Sequence, residues 1–283
     1  MDEQNYFEGR KIVIATKHEK EAVIGPVLKK EFGISYVIPD QLDTDIFGTF
    51  SGEIERVLTP IEAARKKCEL AFEMSDADLA IGSEGSFGPH STLYFMPSDE
   101  EYLVLVDRKN KLEIVVKFCS LQTNYGSYDA GSEEKLADFL KWVKFPSHAL
   151  IVKDSPSNAQ YIDKGIRTKS HLNRAIKYCN SHFSTYHIMT DMRAMYNPTR
   201  MSIIQELTGK LVEKMRSCCP SCSRPGFSVT DVIRGLECSC CSLPTKSVKS
   251  LIYTCEGCHY TKLQEYLEAK QSEDPMFCDY CNP

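Results

Sequence analysis

No apolar run in the chain approaches the roughly 20 residues that a bilayer-spanning helix needs, so no membrane helix is expected. The first residues, MDEQNYFEGRK, lack the basic-then-apolar pattern of a signal peptide, and a cytoplasmic location is expected. An excess of positive charge is also missing. The 34 Lys and Arg against 39 Asp and Glu leave a net charge of −5, which gives no general reason to expect nucleic-acid binding. Internal repeats, coiled-coil heptads and low-complexity segments do not occur. Up to residue 217 cysteine is scarce too, with only Cys68, Cys119 and Cys179.

The remaining ten cysteines fall between Cys218 and Cys281. This shift in composition predicts a boundary near Ser217, with one domain over residues 1–217 and a second over 218–283. The second holds four CxxC pairs: Cys219/Cys222, Cys238/Cys241, Cys255/Cys258 and Cys278/Cys281. A CxxC turn supplies two thiolates to one tetrahedral zinc and a second turn completes the four ligands, so eight cysteines predict two structural zinc sites. Disulfides would suit an extracytoplasmic setting, of which the chain shows no sign. Sequential pairing, first with second and third with fourth, is favoured because its loops close locally; nested and crossed pairings are also geometrically open. Cys218 and Cys240 are spare. Four thiolates close a zinc to substrate, which argues against catalysis in the tail. Six Lys and Arg against eight Asp and Glu over 218–283 argue against a phosphate-reading surface. A structural role or contact with a protein partner is expected there.

The first 217 residues alternate between two patterns. Strand-like runs are KIVIAT (11–16), SYVIP (35–39), DLAIG (78–82), EYLVLVD (101–107), LEIVVKF (112–118), HALIVK (148–153) and TYHIMTD (185–191). Helix-like runs lie at about 18–32, 60–75, 132–144, 168–181 and 198–216. The alternation predicts an α/β fold, a mixed sheet flanked by helices, followed by a small double zinc-ribbon domain. RKNK between EYLVLVD and LEIVVKF predicts an antiparallel hairpin.

Ligands gather where strands end and helices begin in such folds, and the polar clusters fall there. TKHEKE places Lys17, His18 and Lys20 at a predicted helix N-terminus, where free N–H groups favour an anion; a solvated first turn explains the same residues. DTDIFGTFSGE carries Asp43, Asp45 and Glu53 with Gly48 and Gly52, acids that could hold Mg²⁺ beside phosphates or simply form turns. GSEGSFGPH surrounds Glu84 with glycines that let backbone approach a ligand, and Glu84 is a candidate metal ligand or general base. His90 is a weaker candidate. Thr59, Pro60 and Glu62 form a capping box, after which Lys67 faces either a site or water. In TDMRAMYNPTRM, Asn197 and Pro198 are an N-cap and a first helical position. Asp191 and Arg193 either pair with each other or serve a ligand. A cation at Arg200, in a first helical turn, opposes the helix dipole unless an anion is bound there. A phosphate clamp of Arg193, Arg200 and the helix N-terminus is therefore expected, with Asn197 beside it.

Over residues 11 to about 90, KIVIATKHEKEAV, TPIEAARKKCELA and ADLAIGSEGSFG come in an order that resembles the inosine/xanthosine triphosphatases. That resemblance implies an acidic metal or base role for Glu84 and a basic role for Lys67. The sequence departs from that pattern at His18, Leu58 and Ser86. Nearly the whole chain also resembles an uncharacterised bacterial family that combines TKHxKE, DTDxxGTFxGE, SEGSFGPH, TDMRAxxNPTRM and an eight-cysteine tail ending in CNP. The functional expectation is a metal-dependent hydrolase of a nucleotide or another phosphorylated small molecule, using Mg²⁺ or Mn²⁺ beside two structural zincs. Glu84, Asp191, Arg193 and Arg200 would be its catalytic residues. The alternative is a nucleotide- or anion-binding protein without turnover, whose zinc ribbons dock to a partner.

Overall fold

The computed structural model describes residues 6–49, 53–131, 133–265 and 270–283. The chain forms two compact units, Phe7–Val212 and a second comprising Tyr6 and Glu213–Pro283.

The first unit contains two sheets. One has five strands: β1 (Lys11–Ala15), β2 (Ser35–Val37), β3 (Leu79–Pro89), β4 (Pro97–Asp107) and β5 (Leu112–Ser120), in the order β2-β1-β3-β4-β5. β1 runs parallel to β2 and β3, while β3, β4 and β5 pair antiparallel, so the sheet is mixed. The KIVIA run of β1 is buried from Ile12 to Ala15, as a parallel strand covered on both faces requires. α1 (Glu21–Phe32) ends at Gly33 in the left-handed conformation, and α2 (Pro60–Glu73) begins with the expected capping box. α2 packs Ala63, Ala64, Cys68 and Ala71 inward, against a core that includes Val13 and Ala80.

The glycine-rich GSEGSFGPH is strand, not loop. It continues β3 to Pro89, with Gly85 opposite Glu101 of β4. The glycines make room for the protein's own groups. A Cβ at Gly82 would stand 2.0 Å from the Ala64 carbonyl oxygen, and one at Gly85 would stand 2.5 Å from Arg200 Nη2.

The other sheet has the order β6-β9-β7-β8 and is antiparallel throughout: β6 (Ser127–Asp129), β7 (Leu150–Lys153), β8 (Ile162–Ile166) and β9 (His187–Thr190). The sequence pattern showed neither β6 nor β8. α3 (Glu133–Trp142) and α4 (Lys169–His182) supply Phe139, Leu172, Ala175 and Cys179 to a core with Leu150, Val152, Ile166 and Ile188. Each of these large aliphatic side chains contributes about 1.5–3 kcal/mol by leaving water. α5 (Pro198–Arg216) follows the β9 connection.

The second unit carries a three-stranded antiparallel sheet, β10 (Ser228–Arg234), β11 (Val248–Thr254) and β12 (Thr261–Glu265). A strand separates the first CxxC pair from the second, and another separates the second from the third. Because β10 and β11 run antiparallel, with Ser228 opposite Thr254 and Arg234 opposite Val248, successive pairs fall at alternate ends of the sheet. The seven-residue strands span roughly 24 Å. Sequential pairing is therefore corrected: the first pair meets the third, and the second meets the fourth. Among the described residues, no helix is long and apolar enough to cross a membrane.

Candidate functional site

One cleft in the first unit draws its walls from both sheets. Ala15 ends β1, and Thr16, Lys17, His18 and Lys20 follow it into α1. Lys67 comes from α2, and Ser83 and Glu84 from β3. Facing them are Ile151 of β7, Lys164 of β8, Asp191 and Arg193 after β9, and Arg200 of α5. Thr44, Asp45, Gly48, Thr49 and Arg56 complete the rim. Seven lysines and arginines thus share the cleft with three carboxylates.

Every carboxylate in the cleft is held by a cation of the chain. Glu84 meets Lys67 in a close ion pair, and its Oε1 lies 3.0 Å from Arg56 Nη2. Burial alone would raise the Glu84 acid, but Lys67, Lys20 and Arg56 reverse this and hold it at about 2. Asp191 is fully buried and accepts from Arg193 Nη2 at 2.6 Å, from the Arg193 backbone N–H at 3.1 Å and from the Gly165 N–H at 3.1 Å. Lys17 lies 2.9 Å from both Asp43 and Asp45, and Glu53 pairs with Lys164.

Asp43 and Glu53 are not among the lining residues. Asp43, Asp45 and Glu53 do not gather as a metal-holding group among the described residues, because lysines stand between them. Phe50, Ser51 and Gly52 of that loop lie outside the described residues.

Lys20 and His18 are the perturbed groups. Burial pushes the Lys20 amine down to about 7, helped by Arg200 and Lys67 and opposed by Glu101 and Glu84. Its Nζ donates to Ser83 Oγ at 2.8 Å. Burial, with Lys20 nearby, pushes His18 down to about 3, so the imidazole faces the cleft neutral near pH 7. Arg200 is buried between Glu101, the Met192 carbonyl oxygen and the ring of Phe87, whose centroid is 4.9 Å from the guanidinium carbon. Asp99, one alternation away from Glu101 on β4, is fully buried with neither carboxyl oxygen hydrogen-bonded among the described residues. Burial lifts its acid to about 8, and the Glu101 carboxylate adds to the shift.

The α5 N-terminus does not serve the cleft. Pro198 has no N–H. The Thr199 N–H donates to His148 Nε2 at 3.3 Å, that of Arg200 to Asn197 Oδ1 at 3.0 Å, and that of Met201 to the Asn197 carbonyl at 3.0 Å. The Asn197 amide nitrogen donates to Asn124 Oδ1 at 2.8 Å. Asn197 is a buried cap and does not line the cleft, which corrects its expected place in a phosphate clamp. His90 is likewise absent from the cleft lining, and its Nδ1 accepts from the Thr92 and Leu93 N–H groups of its own turn.

Of the residues expected at a site, the structure brings together Lys17, His18, Lys20, Asp45, Lys67, Glu84, Asp191, Arg193 and Arg200. Sequence reading missed Ser83, Arg56 and Lys164. Ser83 sits in GSEGSFGPH beside Glu84, and a lone serine in a glycine-rich run has no signature of its own. Arg56 and Lys164 are isolated cations in polar stretches with no local signature.

In the second unit two cysteine quartets can each hold a metal ion: Cys219, Cys222, Cys255 and Cys258, and Cys238, Cys241, Cys278 and Cys281. Sγ atoms stand 3.6 to 3.8 Å apart across the paired turns. A disulfide would need about 2.05 Å. Four sulfurs at about 2.3 Å from a tetrahedral centre lie roughly 3.8 Å apart, so the donors fit one ion per quartet. Three of the turns close alike: Ser223, Ser242 and His259 adopt positive φ and donate their N–H to the carbonyl of the first cysteine. Cys218 and Cys240 stay outside both quartets.

The model of a family described as a domain of unknown function, DUF6671, matches residues 67–283, well over half of the chain. The chain belongs to this family. The match takes in Lys67, Ser83, Glu84, the β9–α5 connection and both quartets, whereas Lys17, Lys20 and Arg56 precede it. No curated protein matches the chain.

Proposed function

We propose that the first unit binds a phosphorylated small molecule in the cleft, and that the cysteine quartets hold two structural Zn²⁺ ions. One observation carries the reading: seven lysines and arginines against three carboxylates, contributed by both sheets to one cleft. Lys17, Lys164 and Arg200 also pair with Asp43, Glu53 and Glu101, so what the cleft offers an anion is a set of cationic donors already held in place rather than a large excess of charge. Cations held in place before binding lose less on association than flexible ones, and bonds to a charged acceptor are the strong ones. The resemblance of residues 11–90 to nucleotide triphosphatases points to the same ligand class.

Hydrolysis of that ligand is the finer reading. It is favoured by Lys20, which is buried, unpaired with any acid among the described residues and directly against the Ser83 hydroxyl. In the quartets, soft thiolate donors in a tetrahedral set suit Zn²⁺, and a closed coordination sphere suits a structural role.

Thermal-shift measurements with phosphate, pyrophosphate, nucleoside mono-, di- and triphosphates, and the uncharged nucleosides test the binding reading. Stabilisation that grows with phosphate number and is absent for the nucleosides is expected. Equal or absent shifts across the series contradict it.

A further inference from the structure

We propose that Ser83 and Lys20 are a nucleophile and its base, which move the terminal phosphoryl group of a phosphoanhydride first onto Ser83 Oγ and then to water. This rests on the cleft being a phosphate site and assigns its chemistry.

Both residues line the cleft, and both are almost excluded from water. Lys20 Nζ lies 2.8 Å from Ser83 Oγ, which is its only hydrogen-bond partner among the described residues. No carboxylate there lies within ion-pair distance of it. An ammonium has three protons to place and no lone pair, so a charged Lys20 would leave donors unmet in a dry site. The neutral amine has a lone pair, and the Ser83 hydroxyl is the proton beside it. Ser83 Oγ in turn has no other partner among the described residues, so its proton points to Nζ or into the cleft. Lys67 differs: it lies in a close ion pair with Glu84.

The charges that bear on Lys20 come from several elements and have both signs. Arg200 of α5 and Lys67 of α2 disfavour its proton, while Glu101 of β4 and Glu84 of β3 favour it. Burial is the larger influence and places the amine near the pH at which a general base works best. Hydroxyl nucleophiles are weak until such a base takes their proton.

In the first step Ser83 Oγ bonds to the terminal phosphorus as its proton passes to Lys20 Nζ. The bridging P–O bond breaks, and Lys20 returns the proton to the departing phosphate oxygen. In the second step Lys20 takes a proton from water, whose oxygen bonds to the same phosphorus. The Oγ–P bond breaks and Oγ recovers the proton. One phosphoanhydride and one water become two phosphate products, and no other reactant is needed. Lys67, Arg193 and Arg200 line the same cleft and screen the charge that would repel the nucleophile.

The test uses the full chain, with inorganic triphosphate and adenosine triphosphate as probes, in wild type, Ser83→Ala, Lys20→Met and Lys20→Arg. Binding is read by calorimetry, turnover by phosphate release, and the covalent step by intact mass after acid quench. The expected result is phosphate release with a phosphoryl group on Ser83, the rate rising through about pH 7 in wild type. Release falls at least about a hundredfold in Ser83→Ala and Lys20→Met. Lys20→Arg puts a permanent cation with no lone pair in place of the neutral amine and loses release to the same extent. Binding without release or labelling at any pH overturns the nucleophile–base pair and leaves the anion site standing. Release undiminished in Ser83→Ala also overturns it. If neither probe binds, the phosphate reading itself falls and this assignment with it.

Discussion

Arg200 and Glu101 form a bidentate ion pair that is almost wholly out of water, joining the first helical turn of α5 to the middle of β4. Ninety-nine positions of sequence separate them. The guanidinium also forms part of the cleft wall. Removing one member of a buried pair leaves the other uncompensated, so Glu101→Gln is expected to cost about 3–5 kcal/mol. Urea denaturation of the variant measures it; a loss below about 1 kcal/mol would show that Arg200 finds another acceptor.

Acid should act on Glu84. Its carboxyl lies at about 2 in the fold against an ordinary 4.5, because Lys67, Lys20 and Arg56 outweigh burial. A folded value below the unfolded one means stability present above about pH 4.5 and lost as pH falls through 2. His18, held down to about 3 from 6.5, acts in the same sense between those values. Asp99 opposes His18 between pH 8 and pH 3.8, so the net decline of stability measured in urea should set in below about pH 4.5, where Glu84 joins His18. Glu84→Gln should have the shallower acid limb. An acid limb identical to wild type would contradict the assignment.

Asp99 should act in the opposite sense. Its acid is raised from 3.8 to about 8 by burial and by Glu101, so the fold keeps a proton that the unfolded chain releases. The proton's contribution is present below pH 3.8 and is lost as pH rises through 8. Asp99→Asn, a neutral isostere, should gain stability relative to wild type between pH 4 and pH 8. A constant difference across that range would show that Asp99 does not hold the proton.

Metal stoichiometry separates the two ways of pairing the cysteine turns. Wild type should bind two equivalents of zinc. Cys219→Ser with Cys255→Ser should lose one, since both belong to one quartet, whereas Cys219→Ser with Cys238→Ser should lose both. Sequential pairing gives the reverse. Elemental analysis of the purified variants decides it.

Asn197→Ala tests the cap. It removes the acceptor of the Arg200 N–H and the donor to the buried Asn124 Oδ1, at a cost of about 1–3 kcal/mol. Anion affinity per folded molecule should stay within about threefold, because Asn197 does not line the cleft. A loss of affinity without loss of stability would reverse the roles.

Periodicity and local chemistry made much of this legible from residues alone. All five helices of the first unit, the capping box at Thr59 and Glu62, the β4–β5 hairpin and the break at Asn197–Pro198 are set by neighbours in sequence. The pairing of the cysteine turns was not, because it depends on strands carrying each turn to the far end of a sheet. β8 was hidden because IDKGI is half-exposed and carries two charges. The burial of Asp99 and Glu101 was hidden because β4 looks solvated at SDEE until Arg200 arrives from α5. Clusters such as TKHEKE announced themselves, while Arg56 and Lys164 acquire meaning only from what the fold places opposite them.

The most direct test of the cleft is calorimetric titration of inorganic triphosphate into wild type, Arg56→Ala and Lys164→Ala. Arg56 sits on the rim against Glu84 of β3 and Lys164 comes from β8 of the other sheet, and neither removal strands an unpaired buried acid: Glu84 keeps Lys67, and Glu53 is exposed enough to be hydrated. Losing a charge-assisted contact of about 1.5 kcal/mol weakens binding roughly tenfold. The expected result is binding to wild type that weakens by about this factor in each variant. Binding unchanged in both variants, or no binding to wild type, would contradict a phosphate site spanning the two sheets.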